Sequence, residues 1–549
     1  MMRTVLIIFI SCSCLFTKAQ IPSWQWASGN GGNASDNSTS IVVDALGNSY
    51  ITGYFFSPTI VFGTYTLTNI GNYDMYTVKY NNTGTVLWAK SAGSVFDDAG
   101  SGITLNASGE VYVTGYFSGT IVFGTFTLTN SGGTDVFIVK YDAGGNVLWA
   151  AGAGDSNSEE GNNIACDNTG NVFITGSYQS GSLTFGTSTL TNNGVGDIFL
   201  AKYSSSGLPL IAVSMGDVFL DIANDLAVDA TGNVFLIGSF SSQTLVIGTT
   251  TLANSSGSNS DLFVAKFDNN ANAIWANSSG GNFDDSAYGI TLDQQNNILV
   301  TGYFKSTQIT FGSTTYTNTA IASGDLFLVK YNSAGNVVWS RTAGGSLDEI
   351  GYDICNDQFG NIFITGHLHS SSMVFNTYTI TNNGIGDAFV AIYDPNGNEV
   401  WVDNIGGLSD DGTSGIGVDG AGGIYVTGYF FSGSFNIGST NLNNVGNADV
   451  MTAKLGYVTT GLTPSTYKNE LVFELFPNPS QGEVSIAIKN EFDPGQEYKV
   501  VVMNAQGEIV NESVIRSGEK LDLSKNKAGI YFVRVRSDKV EITKRLILM

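Results

Sequence analysis

A glycine set in contexts such as ITGYF, VTGYF and LIGSF recurs at Gly53, Gly115, Gly176, Gly238, Gly302, Gly366 and Gly428, seven times at intervals of 61 to 64 residues. Twenty-seven residues before each stands Trp26, Trp88, Trp149, Ile211, Trp275, Trp339 or Trp401. An interval held through seven copies leaves room for one kind of fold. It is an array of near-identical units, stacked because none can bury its apolar face alone. A chain of 549 residues is in any case too long for a single core.

Each unit reads as strands. In the second, GITLNA, EVYVTGYF, DVFIVKY and VLWAAG alternate apolar and polar residues and are separated by Gly, Asn and Asp turns. Such runs form antiparallel hairpins, and no window carries a helical period. The segment FGTFTLTN, between the second and third strands, reads as an inserted hairpin. Seven four-stranded units of this length predict an all-β fold, a seven-bladed β-propeller over residues 20–456, with one small β-sandwich after it. The seventh unit stops at ADVMTAKLG, without its Trp strand, while SWQWASG stands alone near the N-terminus. The N-terminal Trp strand is therefore expected to complete the seventh blade, closing the ring and hiding two sheet edges. The repeated TGYF, FGT-TLTN and D-F--KY motifs resemble the seven-bladed propeller repeat called SBBP, found in large secreted bacterial proteins. That resemblance spans Trp26 to Leu455 and implies fold and an extracellular setting, not chemistry.

Most repeated residues have structural work to do. The Trp residues are expected to pair with Tyr80, Tyr141, Tyr203, Phe267, Tyr331 and Tyr393 across their own hairpins and to pack on the next blade. The anchor glycines are expected to permit close backbone approach between blades. Asp44, Asp167, Asp229, Asp293, Asp357 and Asp419, with Asn106, precede tight turns whose amides they can bind. The acids Asp36, Asp98, Glu159, Asp221, Asp285, Glu349 and Asp411, one per unit, fall where two connections share a face. They either cap loop amides or form a ring that binds a cation or steers a ligand. Ca²⁺ is the one cofactor this ring suggests; no other is evident. His367 and His369 form an H-L-H pair able to hold a metal, for which the sequence displays no third ligand.

From Gln20 to Gly456 there are 35 Asp and Glu against 9 Lys and Arg, whereas the remainder is balanced, 12 against 12. The acidic part would repel nucleic acid and anionic lipid. Motifs for zinc peptidases, serine hydrolases and phosphate loops are missing, and near-uniform units suit binding better than catalysis. The expected function is a binding or adhesion module for a glycan or surface protein. The alternative is a polysaccharide lyase or hydrolase that uses carboxylates on the propeller face.

Residues 1–19 read as a secretory signal peptide cleaved after Ala19, and no later run is long enough for a transmembrane anchor. Cys166 and Cys355 are expected to be free, buried thiols. Residues 457–470 read as a linker. Beyond it, FPNPSQG, NAQGEIV, LDLS, AGIYFVRV and a basic KRLIL tail resemble the C-terminal sorting domain of type IX secretion cargo in Bacteroidota. This covers Leu471 to Met549. It implies recognition by outer-membrane secretion machinery and a secreted or cell-surface location.

Overall fold

The computed structural model describes residues 22–257, 259–457 and, further on, 472–476, 480, 482–489, 498–504, 509–516, 519–536 and 541–548. The expected signal peptide and nearly all of the expected linker, 458–470, lie outside the described residues. The chain divides into two compact units, Met1–Val458 and Thr459–Met549. No helix among the described residues is long and apolar enough to cross a membrane.

The larger unit is all β, a propeller-like series of repeated antiparallel sheets. Seven four-stranded sheets lie within its described residues. In the first, β2 (Asp36–Val43), β3 (Ser49–Phe55), β6 (Asp74–Tyr80) and β7 (Val86–Ala92) pair in that order. The expected insertion is a separate two-stranded hairpin, β4 (Thr59–Phe62) with β5 (Tyr65–Thr68), turned by Gly63 at φ 58°. The sheet of the last repeat has three strands, Asp411–Val418, Ile424–Phe430 and Asp449–Tyr457. Its fourth is β1 (Pro22–Asn30), hydrogen-bonded in antiparallel register with Trp26 opposite Lys454 and Gly29 opposite Met451.

Alternation along each strand places one apolar face against the neighbouring sheet. Leu200 and Ile198 thus share a core with Leu236, Phe240 and Phe263 of the following repeat. Trp24 and Ala27 pack with Ile424, Val426 and Met451, whereas Trp26 packs with Ile41, Tyr80 and Tyr425.

Two expected roles change. The hairpin partner of Trp88 is Lys79; Tyr80 pairs with Val86 instead, across a bulge that skips Leu87. Tyr80 stacks at 6.2 Å on Trp26 of the preceding sheet, and Tyr141 lies 6.2 Å from Trp88, so these aromatic pairs join sheets rather than hairpins. The Trp26, Trp88 and Trp149 indole N–H groups donate to carbonyls of the next hairpin turn, at Asn82, Ala143 and Ser205. The anchor glycines do serve close backbone approach, but within their own sheet. A Cβ on Gly53 would stand 2.1 Å from the Asn37 carbonyl oxygen, and one on Gly176 would stand 1.8 Å from that of Glu160.

Cys166 and Cys355 are free and half-buried. The smaller unit contains a three-stranded sheet (Val472–Phe476, Glu483–Lys489, Lys520–Asp522) and a four-stranded one (Ile509–Ile515, Tyr498–Asn504, Gly529–Arg536, Glu541–Leu548). Val484, Ile486, Val500, Val533 and Leu546 form their common core.

Candidate functional site: a cavity lined by bulges

The carbonyl that each anchor glycine admits lies immediately before a β-bulge. Opposite Gly53 the register jumps from Ser38 to Ser40, leaving Thr39 unpaired. The same jump leaves Ser101, Asn162, Asn224, Tyr288, Tyr352 and Ser414 unpaired opposite the other six glycines. A bulge bends the strand and re-aims the extra side chain. Here all seven extra residues line one cavity of about 400 Å³, which Tyr54, Tyr429 and Phe431 also border. They link neighbouring sheets as well. Thr39 Oγ1 donates to the Gly100 carbonyl at 2.6 Å, Asn162 Nδ2 to that of Ala223 at 2.8 Å and Asn224 Nδ2 to that of Ala287 at 2.8 Å. Ser414 donates in the same way to the Ser38 carbonyl. The Tyr288 and Tyr352 rings sit 5.5 Å apart.

Two further acids belong to this cavity and were not singled out by sequence. Asp225 accepts from the Ile290 amide at 2.9 Å in the next sheet, and Asp353 likewise from the Ile416 amide at 2.8 Å. Burial pushes the Asp353 carboxyl up to about 7. Burial, then the charge of Asp353, pushes Asp225 well above the carboxylate range. The signal was present: at this position the other five repeats carry only Ser40, Gly102, Asn163, Gly289 and Gly415.

Asp36, Asp98, Glu159, Asp221, Asp285, Glu349 and Asp411 are each fully buried. They clasp two connections together. Asp36 accepts from the Gly32 amide at 2.8 Å and from the Ser57 amide and hydroxyl at 3.1 and 2.7 Å. Asp285 and Asp411 repeat this with Gly281 and Ser306, and with Gly407 and Ser432. Ca²⁺ takes six to eight oxygen ligands. These carboxylates face N–H and O–H donors instead, a set that does not match the ion. The third-strand acids stand beside them: a Cβ on Gly93 would fall 2.2 Å from the Asp74 carboxyl carbon. Asp74, Asp197, Asp261, Asp325, Asp387 and Asp449 are almost fully buried, each with an Oδ1 that has no hydrogen-bond partner.

Burial raises both members of several such pairs, Asp98 to about 7 and Asp74 to about 6, with the charge of Asp74 adding to the rise on Asp98. Asp285 and Glu349 rise to about 7, and Asp135, Asp197 and Asp449 to about 6. The folded state thus holds protons that the unfolded chain releases near its ordinary carboxyl values. The stability these groups contribute is fully present below those values and is lost as pH rises through about 6 to 7. The expected outcome is a Tm roughly 5–10 °C higher at pH 5 than at pH 8. Asp98→Asn should narrow that gap, and equal melting at both pH values would refute the account.

His367 and His369 stand outside the cavity lining, next to one of its border residues, Tyr429. His367 is buried and approaches Tyr429 edge-on at 6.5 Å; the two imidazole centroids are 4.1 Å apart.

Residues 474–549 match the family described as the secretion system C-terminal sorting domain, which supports export by a type IX system and contact with its machinery. An uncharacterised WD repeat-containing protein of Acanthamoeba polyphaga mimivirus is 23% identical over 468 residues. The alignment takes in 68% of this chain and 34% of that protein, so the chain spans about a third of the relative's length. Among solved structures, a DUF4221 family member from Bacteroides vulgatus is 9% identical with a TM-score of 0.30, over 65% of this chain and 93% of its own. Dimeric latent PorU from Porphyromonas gingivalis is 10% identical with a TM-score of 0.13, over 95% and 34%. Both superpose too weakly to bear on the fold.

Proposed function

We propose that this chain is an exported, SBBP-type, seven-bladed propeller, closed by its N-terminal strand, that binds a glycan in the axial cavity once outside the cell. A signal peptide cleaved after Ala19 would take it across the inner membrane, and residues 471–549 would direct it through the outer one. Closure is supported by the β1 pairing and by the Ser414 hydroxyl reaching Ser38, which repeats the contacts between neighbouring sheets elsewhere. The observation that carries the ligand class is the cavity lining. Tyr54, Tyr288, Tyr352 and Tyr429 offer ring faces, while Asn37, Asn224 and Asp353 offer amide and carboxylate groups. Sugars present apolar C–H faces ringed by hydroxyls, and a concave site with aromatic walls and a few convergent polar groups meets both needs.

A surface-protein ligand is the second reading, favoured by a different feature. Ile70, Phe96, Val195, Ile321, Ile385 and Leu408 are exposed on the connecting loops, Leu408 at 83% and Ile321 at 79%. The loop of Ile385 lies against that of Leu408, since a Cβ on Gly384 would stand 2.5 Å from the Gly407 carbonyl oxygen. Exposed apolar groups that cluster mark contact surfaces.

The test is a glycan array probed with the mature chain, alongside the double variant Tyr288→Ala/Tyr352→Ala. The expected result is selective binding that weakens about tenfold or more in the variant, as loss of a central aromatic anchor does. Unchanged binding would move the site off the cavity. A silent array combined with capture of a surface protein that Leu408→Asp abolishes would favour the second reading.

A further inference from the structure

We propose that His367, His369 and Asp410 form a site for one first-row divalent transition metal of the Zn²⁺ class, found in the sixth sheet alone. The sequence offered two imidazoles; the fold supplies the third group. Gly386, which precedes the third strand of the sixth sheet, bridges in parallel to Asp410 on the connection entering the seventh. That bridge draws Asp410 beneath the H-L-H pair. One ligand atom from each of the three residues lies within 4.8 Å of the others. His367 Nε2 is 3.1 Å from Asp410 Oδ1, and His369 Nε2 is 3.7 Å from the same oxygen. Zinc bonds of 2.0–2.1 Å in tetrahedral geometry set ligand atoms about 3.3 Å apart, so small side-chain shifts would complete the site.

Three observations point to a ligand rather than a packing accident. His367 is 3% exposed, and its Nε2 makes no hydrogen bond of acceptable geometry; neither does Asp410 Oδ1, in spite of their proximity. The two atoms face each other as an ion pair that lacks hydrogen-bond geometry, and buried polar atoms without a hydrogen bond are rare and call for an explanation. Gly386 leaves open the space beside them, since a Cβ there would fall 2.5 Å from both His367 Nε2 and Asp410 Oδ1. The fifth sheet provides an internal comparison. Tyr303 and Lys305 stand where the sixth has its histidines, Asp348 stands where it has Asp410, and Lys305 Nζ reaches Asp348 Oδ2 at 3.3 Å. In the fifth sheet the cation is part of the chain. In the sixth the ammonium is replaced by imidazole, whose neutral nitrogen is a metal ligand. His369 and Asp410 are about one-third exposed, which gives an ion a route in. Two histidines and a carboxylate form three of the four or more positions such ions fill. The remainder would open on the exposed side of His369 and Asp410.

The test uses the full chain, stripped with a chelator and titrated with Co²⁺ and with Zn²⁺, following visible d–d absorption and calorimetry. The expected result is one equivalent bound, with Zn²⁺ displacing Co²⁺ and excess Ca²⁺ displacing neither. The variant His367→Tyr/His369→Phe installs the residues that the first and seventh sheets carry at these positions, Tyr54 with Phe56 and Tyr429 with Phe431, so it should fold. It should lose the equivalent, as should Asp410→Asn. Absence of stoichiometric binding, or binding retained in the double variant, would overturn the site.

Discussion

Deleting residues 21–29 should exhaust most of the stability of the larger unit. The deletion removes the ladder that β1 forms with Asp449–Tyr457 and takes Trp24, Trp26 and Ala27 out of two separate cores. Trp24 and Trp26 are half-buried, so each costs less than the roughly 3–5 kcal/mol of a fully buried aromatic, and the open ladder adds to this. The total is on the order of 10 kcal/mol, against the 5–15 kcal/mol that folded domains typically possess. The expected product melts well below the intact chain, exchanges the amides of Asp449–Tyr457 rapidly, and self-associates through the bared edge. Adding a synthetic peptide of residues 21–30 should restore protection by occupying the vacant ladder. A truncated chain that melts and exchanges like the full one would refute the closed ring.

Gly176→Ala is expected to have the second largest effect. Its Cβ would stand 1.8 Å from a main-chain carbonyl, which cannot swing aside as a side chain could. The bulge at Asn162 must shift or collapse, at a cost of about 3 kcal/mol, and Asn162 should lose its bond to the Ala223 carbonyl. Gly181→Ala is the control, because nothing lies within 4 Å of that Cβ. Adding Gly366→Ala, in a distant sheet, should roughly double the loss. A Gly176→Ala protein with unchanged urea midpoint and unchanged ligand binding would break the link between glycine and bulge.

Much of this was legible in the residues because repetition amplifies local signals. The glycine and tryptophan intervals fixed the unit, and period-two alternation fixed the strands. The early stop after ADVMTAKLG pointed to the pairing of the last repeat with β1. The reason for the glycines was not legible. A bulge breaks register by one residue, and the sequence of Thr39 or Asn162 looks the same whether that residue is paired or extruded. The tryptophan partners were misplaced for the same kind of reason, a bulge at Leu87 that alternation cannot register. Asp410 was invisible beside His367 because it arrives from the connection of another sheet. The acids of the clasps could be read either as amide caps or as a ligand-binding ring, because sequence reports charge and not burial; they cap amides.

The bulges also separate the strand ladders from what the protein presents inward, even though Thr39, Asn162, Asn224 and Ser414 tie neighbouring sheets with their side chains. Each extra residue is skipped by its own ladder, so changing its identity leaves the ladder hydrogen bonds intact. Seven such positions converge on one chamber, and they already differ, from Thr39 through Asn224 to Tyr352. New selectivity could therefore arise one substitution at a time, like changing single pins in a lock whose barrel never moves.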